Sequence, residues 1–96
     1  MPSFQQHCAA SREVLGEEFR EVHLWLDEFF KLKGPAHRQM RHHKEGIEEI
    51  RAKWGDKAAE AAELHISMDF FNGPIPSRID YIGGNGCWPV GIEWNG

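Results

Sequence analysis

The chain has 96 residues, 41% of them apolar, and a formal net charge of -4. That length gives one domain, not two, and the mild acidity lacks the basic footprint of a sequence-independent nucleic-acid binder. No apolar run approaches a membrane span, and two cysteines, Cys8 and Cys87, are too few for a disulfide framework in so short a chain.

The first seven residues, Met1 to His7, lack the basic start and apolar core of a signal peptide. The expectation is a cytoplasmic protein with two reduced thiols. Ser3-Phe4-Gln5-Gln6 has the form of a capping box, so a first helix is expected from about residue 4, ended or kinked at Gly16. Glu17 and Glu18 then suit the positive end of a second helix. Along it Leu15, Phe19, Val22, Leu26 and Phe29 recur at intervals of four and three, which is one apolar stripe, widened by Trp25 and Phe30. Gly34-Pro35 marks a stop and a restart.

A third helix is expected from about Pro35 to Trp54, with Met40, His43, Ile47, Ile50 and Trp54 on its inner stripe. Gly55 closes it and Asp56 caps a fourth helix, from Lys57 to about Phe71. That helix is alanine-rich, and its expected inner face is Ala61, Leu64, Met68 and Phe71. After Asn72 the composition shifts to glycine, proline and tryptophan. Ser77-Arg78-Ile79-Asp80 has capping-box form and opens one short helical turn through Tyr81 and Ile82. The remaining stretch is too glycine-rich for a helix and forms a loop with one extended segment, or else a small hairpin weakened by Pro89. The expected fold class is therefore mostly α. A bundle of about four helices over residues 1–72 is followed by an irregular or extended aromatic segment, 73–96, packed on or extending from the same domain.

Six histidines is a high density for this length: His7, His23, His37, His42, His43 and His65. Two stand four residues before an aspartate, His23 with Asp27 and His65 with Asp69, and on a helix such pairs share a face. An imidazole and a carboxylate so placed can ligate one ion, or the carboxylate can orient the imidazole from behind. His43 falls on the apolar stripe of its helix, and His23 and His65 lie one step off theirs. Helical bundles hold metals between packed helices, so the candidate ligand set is His23, Asp27, His43, His65 and Asp69, for a divalent ion such as zinc, manganese or iron. The same i, i+4 spacing also occurs as a plain helix-stabilising contact of a few tenths of a kcal/mol, and a histidine in an apolar stripe is commonly a core residue.

No covalent-catalysis set stands out. His7 and Cys8 are adjacent and point in different directions on a helix, and Gly83-Gly84-Asn85-Gly86 is not followed by the lysine and hydroxyl of a phosphate loop. Arg38, Arg41 and Lys44 form a local basic cluster, expected as a solvated helix face. Tyr81, Trp88 and Trp94 sit among glycines and prolines, either as interface anchors or as rings folded back over a small core.

Several segments together resemble a known pattern: His7-Cys8-Ala9, then Val22 to Asp27, then His37-Arg38-Gln39-Met40-Arg41-His42-His43-Lys44-Glu45-Gly46-Ile47, then His65 to Asp69 and Ile75 to Tyr81. They resemble a family of small uncharacterised bacterial and phage proteins with a His-Arg-x-x-Arg-His-His core and a later Ile-Pro-Ser segment. The resemblance implies a recurring histidine pattern and names no activity; the end of the chain after Tyr81 departs from it.

Two function classes follow. The leading expectation is a non-catalytic helical module that binds a protein partner or itself, with a mobile-element or phage inhibitor suggested by the resemblance alone. The alternative is a divalent-metal-binding helical protein, structural in the first instance and hydrolytic only if a coordination position is open. Neither nucleic acid nor a membrane is an expected partner.

Overall fold

The computed structural model describes residues 2–91. Helix α1 spans Phe4–Leu15 and opens with the expected capping box, in which Ser3 and Gln6 satisfy each other's backbone N–H groups. Gly16, at φ 86°, ends it in the left-handed region that glycine enters without strain.

The second expected helix begins later and is shorter than its apolar stripe suggests. Helix α2 covers Arg20–Leu26 and ends at Asp27, after which a turn leads to the short α3, Phe30–Lys33. Phe19 sits before α2 at φ 53°, so the chain turns sharply between α1 and α2. Val22 and Leu26 are buried in the core, with Leu15, Phe19 and Trp25 packed against it.

The third expected helix is divided. A 3-10 turn, Gly34–His37, leads into α4, Arg38–Arg41; the chain then breaks, and α5 runs Lys44–Trp54. At the break His43 is fully extended, φ -160° and ψ 173°, and its Nδ1 accepts the Gly46 N–H at 3.0 Å as the cap of α5. Gly46 makes the tight break possible: a Cβ there would lie 2.1 Å from the Arg41 carbonyl oxygen, so only glycine fits.

Helix α6, Asp56–Asp69, is the centre of the molecule and packs on α1, α2 and α5. Its alanines let those helices approach closely: Ala58, Ala59, Ala61 and Ala62 are all buried. The inner face differs from the expected one. Ala58, Ala61, Ala62, His65 and Asp69 face inward together with Ile66, whereas Leu64 and Met68 are half-buried and Phe71 is exposed. The helix ends at Phe70, and Phe71 and Asn72 at φ 57° and 60° carry the chain outward, which removes Phe71 from the helical stripe.

The rest of the described chain wraps the bundle. Ser77 and Asp80 form the expected capping box on a 3-10 turn, Arg78–Tyr81. Tyr81 is buried in the core, and Trp88 packs edge-on to Phe70 with ring centroids 5.2 Å apart. No strand occurs among the described residues, and none of their helices is long and apolar enough to cross a membrane. Cys8 and Cys87 are free thiols.

Candidate metal centre

All six histidines are buried in a domain of 96 residues. Burying an imidazole costs its hydration unless both ring nitrogens find partners. His23, His37, His43 and His65 find a partner for each nitrogen, whereas His7 and His42 leave a buried Nδ1 without one. Five of the six, all but His43, converge with two aspartates at the junction of α1, α2, α4 and α6.

The centre is built from chain breaks as much as from helices. Asp27 is the residue at which α2 stops, so its carboxylate swings away from His23, four residues earlier, and points across the junction. His42 is the residue at which α4 stops, and its ring turns inward. His65 and Asp69 stand one turn apart on the inner face of α6. Tyr81 holds the α4 break in place by donating its hydroxyl to the His42 carbonyl oxygen at 2.7 Å.

Four atoms meet at short range. His42 Nε2 and His65 Nε2 are 3.3 Å apart. Asp27 Oδ1 lies 3.4 Å from each of them, and Asp69 Oδ2 lies 3.0 Å from His42 Nε2 and 3.5 Å from His65 Nε2. Ligand atoms 2.0–2.1 Å from a tetrahedral ion stand about 3.3–3.4 Å from one another, and these five separations match that spacing, with all four atoms within 4.8 Å of each other. Both oxygens of Asp69 are buried without an aligned hydrogen bond, although imidazole nitrogens lie within 3.5 Å. The imidazole nitrogens are close to Asp69 without being aimed at it as hydrogen-bond donors.

A second group, His7, His23 and His65, is equally close-packed but serves differently. The His7 and His65 rings stack with centroids 3.6 Å apart at 13°, so their in-plane lone pairs run side by side and do not meet at a point. His23 and His65 are joined Nδ1 to Nδ1 at 2.9 Å, a hydrogen bond in which one ring must donate. His23 Nε2 in turn pairs with the buried Ser11 hydroxyl at 2.8 Å. This group supports the tetrad from behind. On the other flank His37 bonds the Gly34 carbonyl oxygen through Nδ1 at 2.7 Å and faces Asp27 Oδ1 through Nε2 at 3.0 Å.

The electrostatics follow from this crowding. Burial works against ionised Asp27 and Asp69, yet both carboxyls are held well below the usual range, Asp27 by the nearby imidazoles of His37, His42 and His65 and Asp69 by those of His42 and His7. Burial lowers His65 to about 3, and burial with its neighbour His7 lowers His23 to about 4. His42 is raised: its burial opposes the charge, but the carboxylates of Asp27 and Asp69 outweigh it. Of the four, a neutral His65 and two ionised aspartates have the protonation that a divalent cation requires of its ligands, whereas His42 would give up its proton to one. Asp27 is the most open member, its side chain 32% exposed, and it borders a cavity of about 430 Å³ lined by Phe4, Leu24, Phe30, Lys31 and His37. Through that cavity solvent reaches the carboxylate of Asp27.

Of the residues named from the sequence, the structure brings Asp27, His65 and Asp69 together and places His23 directly behind His65. His43 is a correction. Its imidazole caps α5, its Nε2 approaches the Met40 carbonyl oxygen at 3.1 Å, and its ring packs against Tyr81, on the other side of the break from the tetrad. His42 takes the expected place of His43, and His7 and His37 join the cluster without having been named. The adjacent-histidine pair and the glycine three residues after it were the available signal for a break. The basic cluster is also dispersed: Arg38 is buried, Arg41 stacks over Trp25 at 3.9 Å, and Lys44 is exposed. Tyr81 is a core residue with a bonded hydroxyl, Trp88 is partly buried against the core, and Trp94 lies outside the described residues.

The family model described as Domain of unknown function (DUF6915) matches residues 2–88, which include every residue of the cluster. Comparison with curated proteins and with solved structures gave no significant match.

Proposed function

The chain belongs to the family described as Domain of unknown function (DUF6915), and within it we propose that this protein binds one divalent metal ion, zinc by geometry, through Asp27, His42, His65 and Asp69. The observation that carries the proposal is that five of the six separations among these four ligand atoms are 3.0–3.5 Å and all lie within 4.8 Å. Two imidazoles and two carboxylates suit zinc, and two carboxylate charges neutralise a dication in an interior where a net charge is costly.

The surrounding residues fit the same role. With an ion on His65 Nε2, the ring keeps its proton on Nδ1 and donates it to His23 Nδ1. His23 then carries its own proton on Nε2 and donates to Ser11 Oγ. One bound ion thereby fixes the tautomer of two rings and the orientation of a hydroxyl. The four protein ligands fill a tetrahedron and leave no open position, which is the pattern of a structural site and not a hydrolytic one. The role is to tie the end of α2 and the α4 break to α6. The interaction module expected from the aromatic C-terminal segment loses part of its basis, because Tyr81 and Trp88 pack on the core.

The test is elemental analysis of untagged protein, with thermal unfolding before and after a chelator. The expected result is about one zinc per chain, lost in Asp69→Asn, and a chelated protein that melts about 10 °C or more lower, as ligand linkage of a few kcal/mol produces in a domain this size. Protein that contains no metal, takes up none from micromolar zinc and melts identically with chelator would overturn the proposal.

A further inference from the structure

Arg38 opens α4 and is 8% exposed, yet no carboxylate lies within ion-pair distance of it among the described residues. A buried guanidinium is normally paired, because an uncompensated charge in the interior is among the costliest arrangements a fold can hold. Its described contacts fall well short of its donor capacity. Nη1 donates to the Cys87 carbonyl oxygen at 3.1 Å, and the group sits over the Phe70 ring at 5.3 Å. Nε is buried with no hydrogen-bond partner. The backbone clamps the residue where it is: the next residue, Gln39, donates its N–H to the Gly86 carbonyl oxygen at 3.1 Å.

Arg38 lines a cavity of about 450 Å³ together with Pro2, Gln6, Met68, Phe71 and Trp88. Asp69 also reaches this wall, but its oxygens lie against His7, His42 and His65 and leave the guanidinium unanswered. The cavity thus combines a fixed, desolvated cation at its base, an amide at its mouth and apolar walls. Phe71 is 85% exposed on its edge, its ring 6.2 Å from that of Trp88.

We infer that this cavity binds a small organic carboxylate with an apolar or aromatic body, its carboxylate on Arg38 and its body against Met68, Phe71 and Trp88. A planar carboxylate matches the fork of guanidinium donors in a way that a neutral head group does not. The site shares the wall formed by Asp69 with the tetrad, but its anchor, Arg38, is not one of the proposed metal ligands, so zinc content and carboxylate binding are read separately.

The test is a nuclear magnetic resonance titration of isotope-labelled protein with phenylacetate, compared with the neutral phenylacetamide. The expected result is saturable shifts at Met68, Phe71 and Trp88, and binding of the amide weaker by about tenfold or more, the worth of one charge-assisted pair. Arg38→Met is expected to lose binding by a similar factor. Gln6→Glu preserves the capping box and sets a like charge at the mouth, so it is expected to weaken phenylacetate several-fold with the fold intact; it decides the matter should Arg38→Met fail to fold. Zinc content, read on the same samples, is expected to stay unchanged in Gln6→Glu. Equal binding of acid and amide, or of acid to wild type and both variants, would overturn the inference, as would the lack of any saturable shift up to about 20 mM, where a useful charge pair would already register.

Discussion

His42 and His65 face each other Nε2 to Nε2 at 3.3 Å, with a carboxylate oxygen from Asp27 and another from Asp69 against both. Two neutral imidazoles presenting lone pairs to each other at that range repel. A proton between them relieves the repulsion for one pair of atoms, and an ion relieves it for all four.

The adjacent histidines separate two roles. His42→Ala removes a ligand and is expected to weaken zinc binding by about a hundredfold or more, since the loss of one ligand in a closed tetrahedron exceeds the tenfold to hundredfold typical of supporting residues. His43→Ala removes a helix cap and is expected to lower stability by about 1–2 kcal/mol with zinc stoichiometry intact. Competition with a chromophoric chelator and urea unfolding, run on both variants, check the pair. The same loss of zinc in both would show that the break at residues 42–43 is no boundary between functions.

His23 acts on the ion only through His65. His23→Phe keeps a ring in the stack but cannot accept the His65 Nδ1 proton, and about a tenfold loss of zinc affinity is expected. Ser11→Ala, one bond further out, is expected to lose less. Chelator competition again provides the measurement, and a larger effect from Ser11 than from His23 would contradict the order of the chain.

Gly46→Ala tests the break itself. The added carbon would lie 2.1 Å from the Arg41 carbonyl oxygen, so the backbone must shift and His42 with it. A stability loss of about 2 kcal/mol or more is expected, in the range of severe overpacking, together with weakened zinc binding. Chemical denaturation with metal analysis reads both effects.

Mild acid is expected to loosen the metal-free protein. His65 and His23 lie at about 3 and about 4 in the fold, below the value of about 6.5 they take in the unfolded chain. Unfolding then takes up protons, so their stabilisation is complete above about pH 6.5 and is lost progressively as pH falls toward those lower values. His42 is raised and works with the opposite sign, losing its stabilisation as pH rises. Two lowered groups outweigh one, so the urea midpoint in chelator is expected to fall from pH 7 to pH 5, less steeply in His23→Phe. A midpoint that rises over that interval would contradict the assignment of neutral rings.

Much of the fold was legible because it obeys local rules. The Ser3 and Ser77 capping boxes, the stop at Gly16 and the alanine-rich central helix follow from residue chemistry that acts within one turn. The misplaced site residues share one cause, helical periodicity continued through places where the chain stops, whereas Leu64 and Met68 leave the inner face within an uninterrupted helix. Continuing a helix across residues 42 and 43 puts His43 among the ligands; with the break both rings are buried, but His42 faces the carboxylates and His43 caps α5. Continuing α2 past Asp27 put that carboxylate beside His23, when ending the helix there sends it to His42 and His65. Such breaks depend on tertiary contacts, the Gly46 approach and the Tyr81 bond to His42, which spacing alone does not reveal. His65 and Asp69 share one uninterrupted helix, and there the i, i+4 rule places both side chains as expected.

The extended conformation of His43 has a consequence for how this chain can vary in length. His42, at φ -84° and ψ 63°, turns the chain just before the extended His43, so the two imidazoles leave the backbone in different directions. Losing or gaining a single residue between Arg41 and Gly46 would alter those directions, taking one ring from the carboxylates or the other from the helix. That short link is a phase setting for the whole molecule, and insertions belong in the outer turns around Gly83 to Asn85 instead.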